Sequence, residues 1–123
     1  MNILIVYAHP SKNSFTYKIF LQLQKGILEA GHTLKISDLY AMDFQSDMYE
    51  SEYNREGFAN TKLPIPDDVR AEQNKIDWAD AICFVYPVWW SDCPAKLKGW
   101  FDRVYTVGYA YGYNEPGSPA NKM

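Results

Sequence analysis

Two stretches of this sequence are apolar without a break: ILIVY, Ile3 to Tyr7, and AICFVY, Ala81 to Tyr86. A strand with one wet face alternates apolar and polar residues. An unbroken run rich in β-branched side chains has to be covered on both faces, and helices cover both faces of a parallel sheet. The intervening sequence supplies them. Ser14 reads as an N-cap, and Ile19, Phe20, Leu23, Ile27 and Leu28 recur at helical spacing up to Gly31, a suitable C′ residue. Thr33 to Ser37 (TLKIS) makes a short second strand. Asp67 or Asp68 can cap a helix through Ala79, and Pro94 suits the first turn of a helix running to about Tyr105. Between them, DLYAMDFQSDMYESEYNREGFANTKLPIP is polar, sprinkled with aromatics and without a clear period, and reads as a long loop. The order β-α-β-(loop)-α-β-α predicts right-handed helical crossovers and a doubly wound α/β sheet. Ligands of such sheets sit at the carboxyl ends of the strands, beside the point where strand order reverses. The chemistry is therefore expected just after Tyr7 and just after Tyr86.

The segment after Tyr7 is AHPSKNSFT, Ala8 to Thr16, in which a buried strand gives way to a helix within a few residues. A helix start presents unpaired N–H groups and the positive end of a dipole, a ready place for an anion. Ser11, Asn13, Ser14, Thr16 and His9 add side-chain donors. Neither GxxxxGK[ST] nor GxGxxG is present, which removes the signal for a triphosphate or a Rossmann pyrophosphate. On spacing alone, phosphate binding and an ordinary capped βα turn both fit, since Ser and Asn are also what caps and turns prefer. The segment after Tyr86 is PVWWSDCP, with Pro87 and Pro94 stiffening its ends and two adjacent tryptophans between. From an extended loop, Trp89 and Trp90 cannot both point inward, so at least one ring is expected to be exposed. A flat ring system rimmed with acceptors, such as an isoalloxazine, would suit aromatic walls and backbone donors there; packing over the third strand is the alternative use.

Composition narrows the partners. The chain has 123 residues, 47% of them apolar, enough for one domain with its own core. A net charge of -3 with both signs interspersed leaves no basic stripe for nucleic acid or an anionic membrane. Met1 runs directly into NILIVYAHP, and no apolar run approaches the roughly 18 residues of a membrane span, so a soluble cytoplasmic protein is expected. Cys83 and Cys93 form no CxxC and have no Cys/His cluster near them; both are expected as free thiols, with no metal site.

Three longer motifs identify a resemblance. ILIVYAHPSKNSFTYK, SDLYAMDF after the second strand, and the pattern P-x-x-W-x-x-x-P-A-x-L-K-G-W-x-D-R-V from Pro87 to Val104 together resemble the flavodoxin-like NAD(P)H:quinone oxidoreductases, the DT-diaphorase family and its bacterial relatives of the modulator of drug activity B type. The resemblance implies a flavodoxin-like sheet of order 2-1-3-4-5. It implies a flavin, FAD or FMN, with its phosphate region held by His9, Ser14, Phe15 and Thr16 and its isoalloxazine by Pro87, Val88, Trp89 and Trp90. It implies hydride transfer from NAD(P)H to the flavin and then to a quinone. It also implies a homodimer in which GYAYGY crosses the interface, so that Tyr111 and Tyr113 line the partner's substrate pocket.

Strands four and five of that order, and a second flavin loop, have no counterpart before the sequence closes on NEPGSPANKM. The third strand is then expected to be an apolar edge in need of cover, from a second copy, another chain or a further C-terminal portion. Weak or absent turnover by these 123 residues alone is the corresponding expectation. The alternative function is a catalytically silent relative that acts as a regulatory or dimerisation subunit.

Overall fold

The structure, a computed structural model, describes residues 1–112. Three strands, β1 (Asn2–Tyr7), β2 (Thr33–Asp38) and β3 (Ala81–Val85), form one sheet of order β2-β1-β3 in which β1 runs parallel to both neighbours. Tyr7 lies opposite Asp38 on one side and Val85 on the other, so all three strands end at the same level. Around them stand α1 (Phe15–Glu29), α2 (Glu50–Gly57), α3 (Asp67–Trp78) and α4 (Ala95–Val104). This is the parallel α/β sheet that the apolar runs predict, in the flavodoxin-like order that the resemblance implies. No fourth or fifth strand occurs among the described residues.

Alternation along β1 builds two cores. Leu4, Val6 and Ala8 face Leu39, Phe44, Leu97, Trp100 and Val104, on the side covered by α4. Ile3, Ile5 and Tyr7 face Phe20 and Ile27 of α1 and Val85. Both faces of β1 are thus dry, which is why its sequence lacks polar alternation. Helix α1 is closed at both ends as its sequence predicts. The Ser14 hydroxyl accepts the Tyr17 N–H at 3.0 Å. At the other end His32 N–H reaches the Ile27 carbonyl and Gly31 N–H the Leu28 carbonyl, with Gly31 at φ +80°, the paired bonds of a Schellman close. The third strand ends one residue earlier than the sequence suggests: Ala8 N–H takes the Val85 carbonyl and Pro87 has no N–H to continue a ladder. Residues Ala81 to Phe84 are only half-buried, and the outer side of β3 has no strand beside it among the described residues.

Two expectations need correction. The segment from Asp38 to Pro66 is not a structureless loop, because it contains α2. The residues α2 buries are Glu52 and Arg55, so its inward face is charged and no apolar period marks it. Neither Asp67 nor Asp68 caps α3; Pro66 occupies the N-cap, and both acids lie in the first turn, where the helix dipole favours them. Asp68 is drawn away to Arg103, which also takes Glu52 and the Gln45 carbonyl and so ties the 38–66 segment to α4. Close by, Glu72 is fully buried yet satisfied by Ser37, Lys75 and the Trp100 indole N–H.

GYAYGY begins as an ordered turn. Gly108 N–H meets the Tyr111 carbonyl at 2.7 Å, and Tyr109 places its hydroxyl on the Gln73 carbonyl and the Asp77 carboxylate. Tyr113 lies outside the described residues. Both cysteines are free thiols, and no described helix is long and apolar enough to cross a membrane.

Candidate functional site

At the carboxyl end of the sheet the two segments singled out by sequence meet. His9 follows β1, Trp89 follows β3, and their rings contact edge to face with centroids 5.9 Å apart. Parallel pairing of β1 with β3 in register forces this meeting, since both loops leave the sheet at one level.

The loop after β1 is shaped by short local hydrogen bonds. Ser11 N–H donates to His9 Nδ1 at 2.9 Å, and Asn13 N–H to the Ser11 hydroxyl at 3.1 Å. Because Nδ1 accepts, the neutral imidazole carries its proton on Nε2, which leaves that nitrogen as the ring's donor. The Ser14 hydroxyl is used twice, accepting from Tyr17 and donating to the Ser11 carbonyl, so Ser14 contributes here as a cap. The N–H groups of Phe15 and Thr16, in the first turn of α1, have no acceptor among the described residues. The Phe15 ring stands 78% exposed beside them. Beneath the loop, Tyr7 stacks flat on Phe20, and burial, followed by the nearby Asp38 charge, pushes its phenol pKa up.

The loop after β3 is tighter than an extended segment. Trp89 and Asp92 exchange both backbone hydrogen bonds, 2.9 and 3.1 Å, around a two-residue turn. Trp90 and Ser91, at φ +52° and +65°, both occupy the left-handed region. This is the geometry of a type I′ hairpin turn, which ordinarily carries Asn-Gly. The turn lifts the Trp90 indole wholly into solvent, 100% exposed, and leaves Trp89 42% exposed against His9. At least one exposed ring was the expectation; the hairpin supplies two. Trp89 N–H is consumed within the turn, whereas the N–H groups of Val88, Trp90 and Ser91 have no acceptor among the described residues. Burial, and then the nearby Asp92 charge, push the pKa of the Cys93 thiol up.

The site is thus an open shelf with two rows of unused backbone donors, one at a helix start and one on a hairpin, and exposed aromatic rings between. Among the residues expected at the site, His9 and Trp89 touch, while Ser14, Phe15 and Thr16 border the first row and Pro87, Val88 and Trp90 the second. Tyr111, 47% exposed, lies on the turn after α4. The left-handed pair at Trp90 and Ser91 escapes sequence reasoning, for neither residue type signals that conformation.

The sequence model of proteins with a flavodoxin-like fold matches residues 1–123. The chain belongs to the flavodoxin-like fold family. Within it, the chain is similar to an NAD(P)H:quinone oxidoreductase from Methanothermobacter marburgensis, at 51% identity and a TM-score of 0.88 over 92% of this chain and 57% of that one. It is 35% identical to NAD(P)H dehydrogenase [quinone] 1 of Cavia porcellus over 123 residues, 89% of this chain and 45% of that protein. It also resembles general stress protein 14 of Treponema denticola, a structure in complex with FMN, at 27% identity and a TM-score of 0.63 over 92% of this chain and 53% of that one. The chain spans about half the length of the curated relatives it matches.

Proposed function

We propose that this chain is the flavin-binding part of an NAD(P)H:quinone oxidoreductase. The observation that carries the reading is the pair of donor rows joined at the His9–Trp89 contact, at the carboxyl ends of β1 and β3. The donor set fits a flavin: a helix start with free N–H groups suits its phosphate, and a hairpin with free N–H groups suits the acceptor rim of its ring. The names of the relatives supply the nicotinamide and quinone, and the FMN bound by general stress protein 14 supports a flavin. Bound here, a flavin supplies two-electron chemistry, taking a hydride from reduced nicotinamide and giving it to a quinone. The chain's own part is positional. Phe15 and Thr16 N–H groups would hold the phosphate end, with His9 Nε2 as a further donor. Val88, Trp90 and Ser91 N–H groups would hold the acceptor rim of the ring and would favour its negatively charged form. Trp89 and His9 join the two loops through their ring contact. Tyr111 would line the pocket of a partner subunit in a homodimer.

The test is spectroscopic: the purified chain is titrated with FMN, FAD and riboflavin, followed by NAD(P)H. Retention of flavin absorbance and its bleaching by NAD(P)H supports the reading, and indifference to all three flavins refutes it. Flavin binding without quinone turnover by the chain alone, together with light scattering above monomer mass, is the outcome expected of a part that needs a partner or further chain to complete its pocket.

Two substitutions probe the rows separately. His9→Ala is expected to weaken FMN binding about tenfold, the scale of one hydrogen bond to a charged group, and riboflavin binding by distinctly less, through the lost contact with Trp89 alone. Equal losses for both ligands would detach His9 from the phosphate. Trp90→Ala is expected to leave the melting temperature unchanged, because a fully exposed ring contributes nothing to the core. Flavin affinity should fall about fivefold, the worth of an aromatic contact of about 1 kcal/mol beyond its area. A fall in stability at unchanged affinity would make Trp90 a packing residue.

A further inference from the structure

At the opposite end of α4 from the shelf, a cavity of about 240 Å³ lies between α2, α3 and the turn that follows α4. Arg55, Thr61, Arg70, Thr106 and Gly108 are among its walls. Gly108, at φ +84°, brings that turn so close to Thr61 that a Cβ there would lie 3.1 Å from the threonine methyl group. The walls hold donors that are not spent. Arg55 is only 8% exposed; its Nε donates to the Leu63 carbonyl and its Nη1 to Glu56 and the Val107 carbonyl, while Nη2 has no acceptor among the described residues. Arg70 gives one long bond, to Gln73 at 3.3 Å, and forms no ion pair among the described residues. The Thr106 hydroxyl accepts from Gln73 Nε2 and keeps its own proton to give. The acceptors nearby are taken: Glu56 by Arg55 and the Val107 N–H, the Val107 carbonyl by Arg55, and the Thr106 carbonyl by the N–H groups of Tyr109 and Ala110. Both charged side chains in the lining are arginines. Glu56 offsets Arg55, and Arg70 has no such offset.

An unspent donor on a buried guanidinium calls for an acceptor, and guanidinium forks match the oxygens of carboxylate and phosphate. We propose that this cavity is a second binding site, for the phosphate or carboxylate group of a small molecule, with Arg55 Nη2 as its buried donor and Arg70 as its exposed one. Its size suits one such group and little more, since pockets for drug-sized ligands run from about 300 Å³ upward. The test is amide NMR of the chain titrated with inorganic phosphate and, separately, with acetate, against sodium chloride at matched ionic strength. Saturable shifts are expected at Thr61, Gly108 and Tyr109, with any at Phe15 and Thr16 reporting the helix start instead. Arg70→Gln is expected to weaken binding at the cavity about tenfold, the scale of a charge-assisted hydrogen bond, and to leave the Phe15 and Thr16 response and the thermal midpoint unchanged, because Arg70 is exposed. Lys62→Gln removes an exposed charge outside the lining and is expected to match the parent. Shifts that chloride reproduces, or no saturable shift at Thr61 and Gly108 with either anion, would overturn the proposal. Equal losses in Arg70→Gln and Lys62→Gln would overturn it too, reducing the arginines to a diffuse positive surface. None of these outcomes bears on the flavin reading, which concerns the other end of α4.

Discussion

Arg103→Ala is expected to cost about 3–5 kcal/mol of folding stability, the range for stripping one partner from a buried ion pair. Arg103 is 2% exposed, and its guanidinium meets Glu52 at 2.8 Å, Asp68 at 2.6 and 3.0 Å and the Gln45 carbonyl at 2.8 Å, with the Phe44 and Tyr49 rings 5.3 and 5.7 Å from its centre. Removing it strands Glu52 in the interior and unties α2 from α4. Asp68 is nearly half exposed and contributes less than its short distances suggest. The pair does leave a mark on the acid side. The hydrogen bond from Arg103 is the main cause that holds the Asp68 carboxyl below its ordinary range, against a smaller opposing effect of burial. A depressed folded-state pKa means stability that is fully present above the unfolded pKa and is lost as pH falls through the folded one. Urea unfolding from neutral pH downward is therefore expected to show the parent losing stability in acid more steeply than Arg103→Ala, which starts several kcal/mol lower. A loss under about 1 kcal/mol at neutral pH would show that Arg103 is a surface-like pair and that α2 is held by other contacts.

The contrast between Arg103 and the tryptophans marks how far the sequence can be read. ILIVY and the Ser14-to-Gly31 helix were legible because burial on two faces and the two helix caps each demand particular residue types. Helix α2 was not, because the face it buries carries Glu52 and Arg55, and a charged inward face leaves no apolar period. The carboxyl ends of the first and third strands pointed to the right loops, yet nothing in W-S announces a type I′ turn whose usual residues are Asn-Gly. The long motif from Pro87 to Val104 was recognisable as one pattern, but the structure divides it. Its first half is exposed and faces the shelf, whereas Leu97, Gly99, Trp100 and Arg103 are buried and serve packing and the charged hub. A pattern of letters cannot separate these roles, because tryptophan occurs in both halves, exposed in the first and buried in the second.

Gly99 supplies the sharpest instance. Within a helix, glycine to alanine ordinarily stabilises by about 0.5–1 kcal/mol, since the backbone has less freedom to lose. Gly26→Ala in α1, where a methyl group meets nothing within 4 Å, is expected to follow that rule. At Gly99 the same methyl would lie 2.2 Å from the Ser46 carbonyl oxygen and 2.5 Å from its Cα. Backbone, unlike a side-chain tip, cannot swing aside, so residues 44–47 must lift away from α4. Two other attachments lie on that stretch: the Gln45 carbonyl on Arg103 and the Phe44 carbonyl on Lys96 Nζ, each at 2.8 Å. Gly99→Ala is therefore expected to reverse sign and destabilise by about 2–3 kcal/mol, the cost of overpacking a closed contact. Because its damage falls on contacts that Arg103 also makes, the double variant with Arg103→Ala should lose less than the sum of the two single losses. Matched urea unfolding of Gly26→Ala, Gly99→Ala and the double variant decides the matter. A Gly99→Ala chain as stable as Gly26→Ala would mean that the 38–66 segment rests on α4 loosely, and an additive double variant would mean that glycine and arginine anchor it independently.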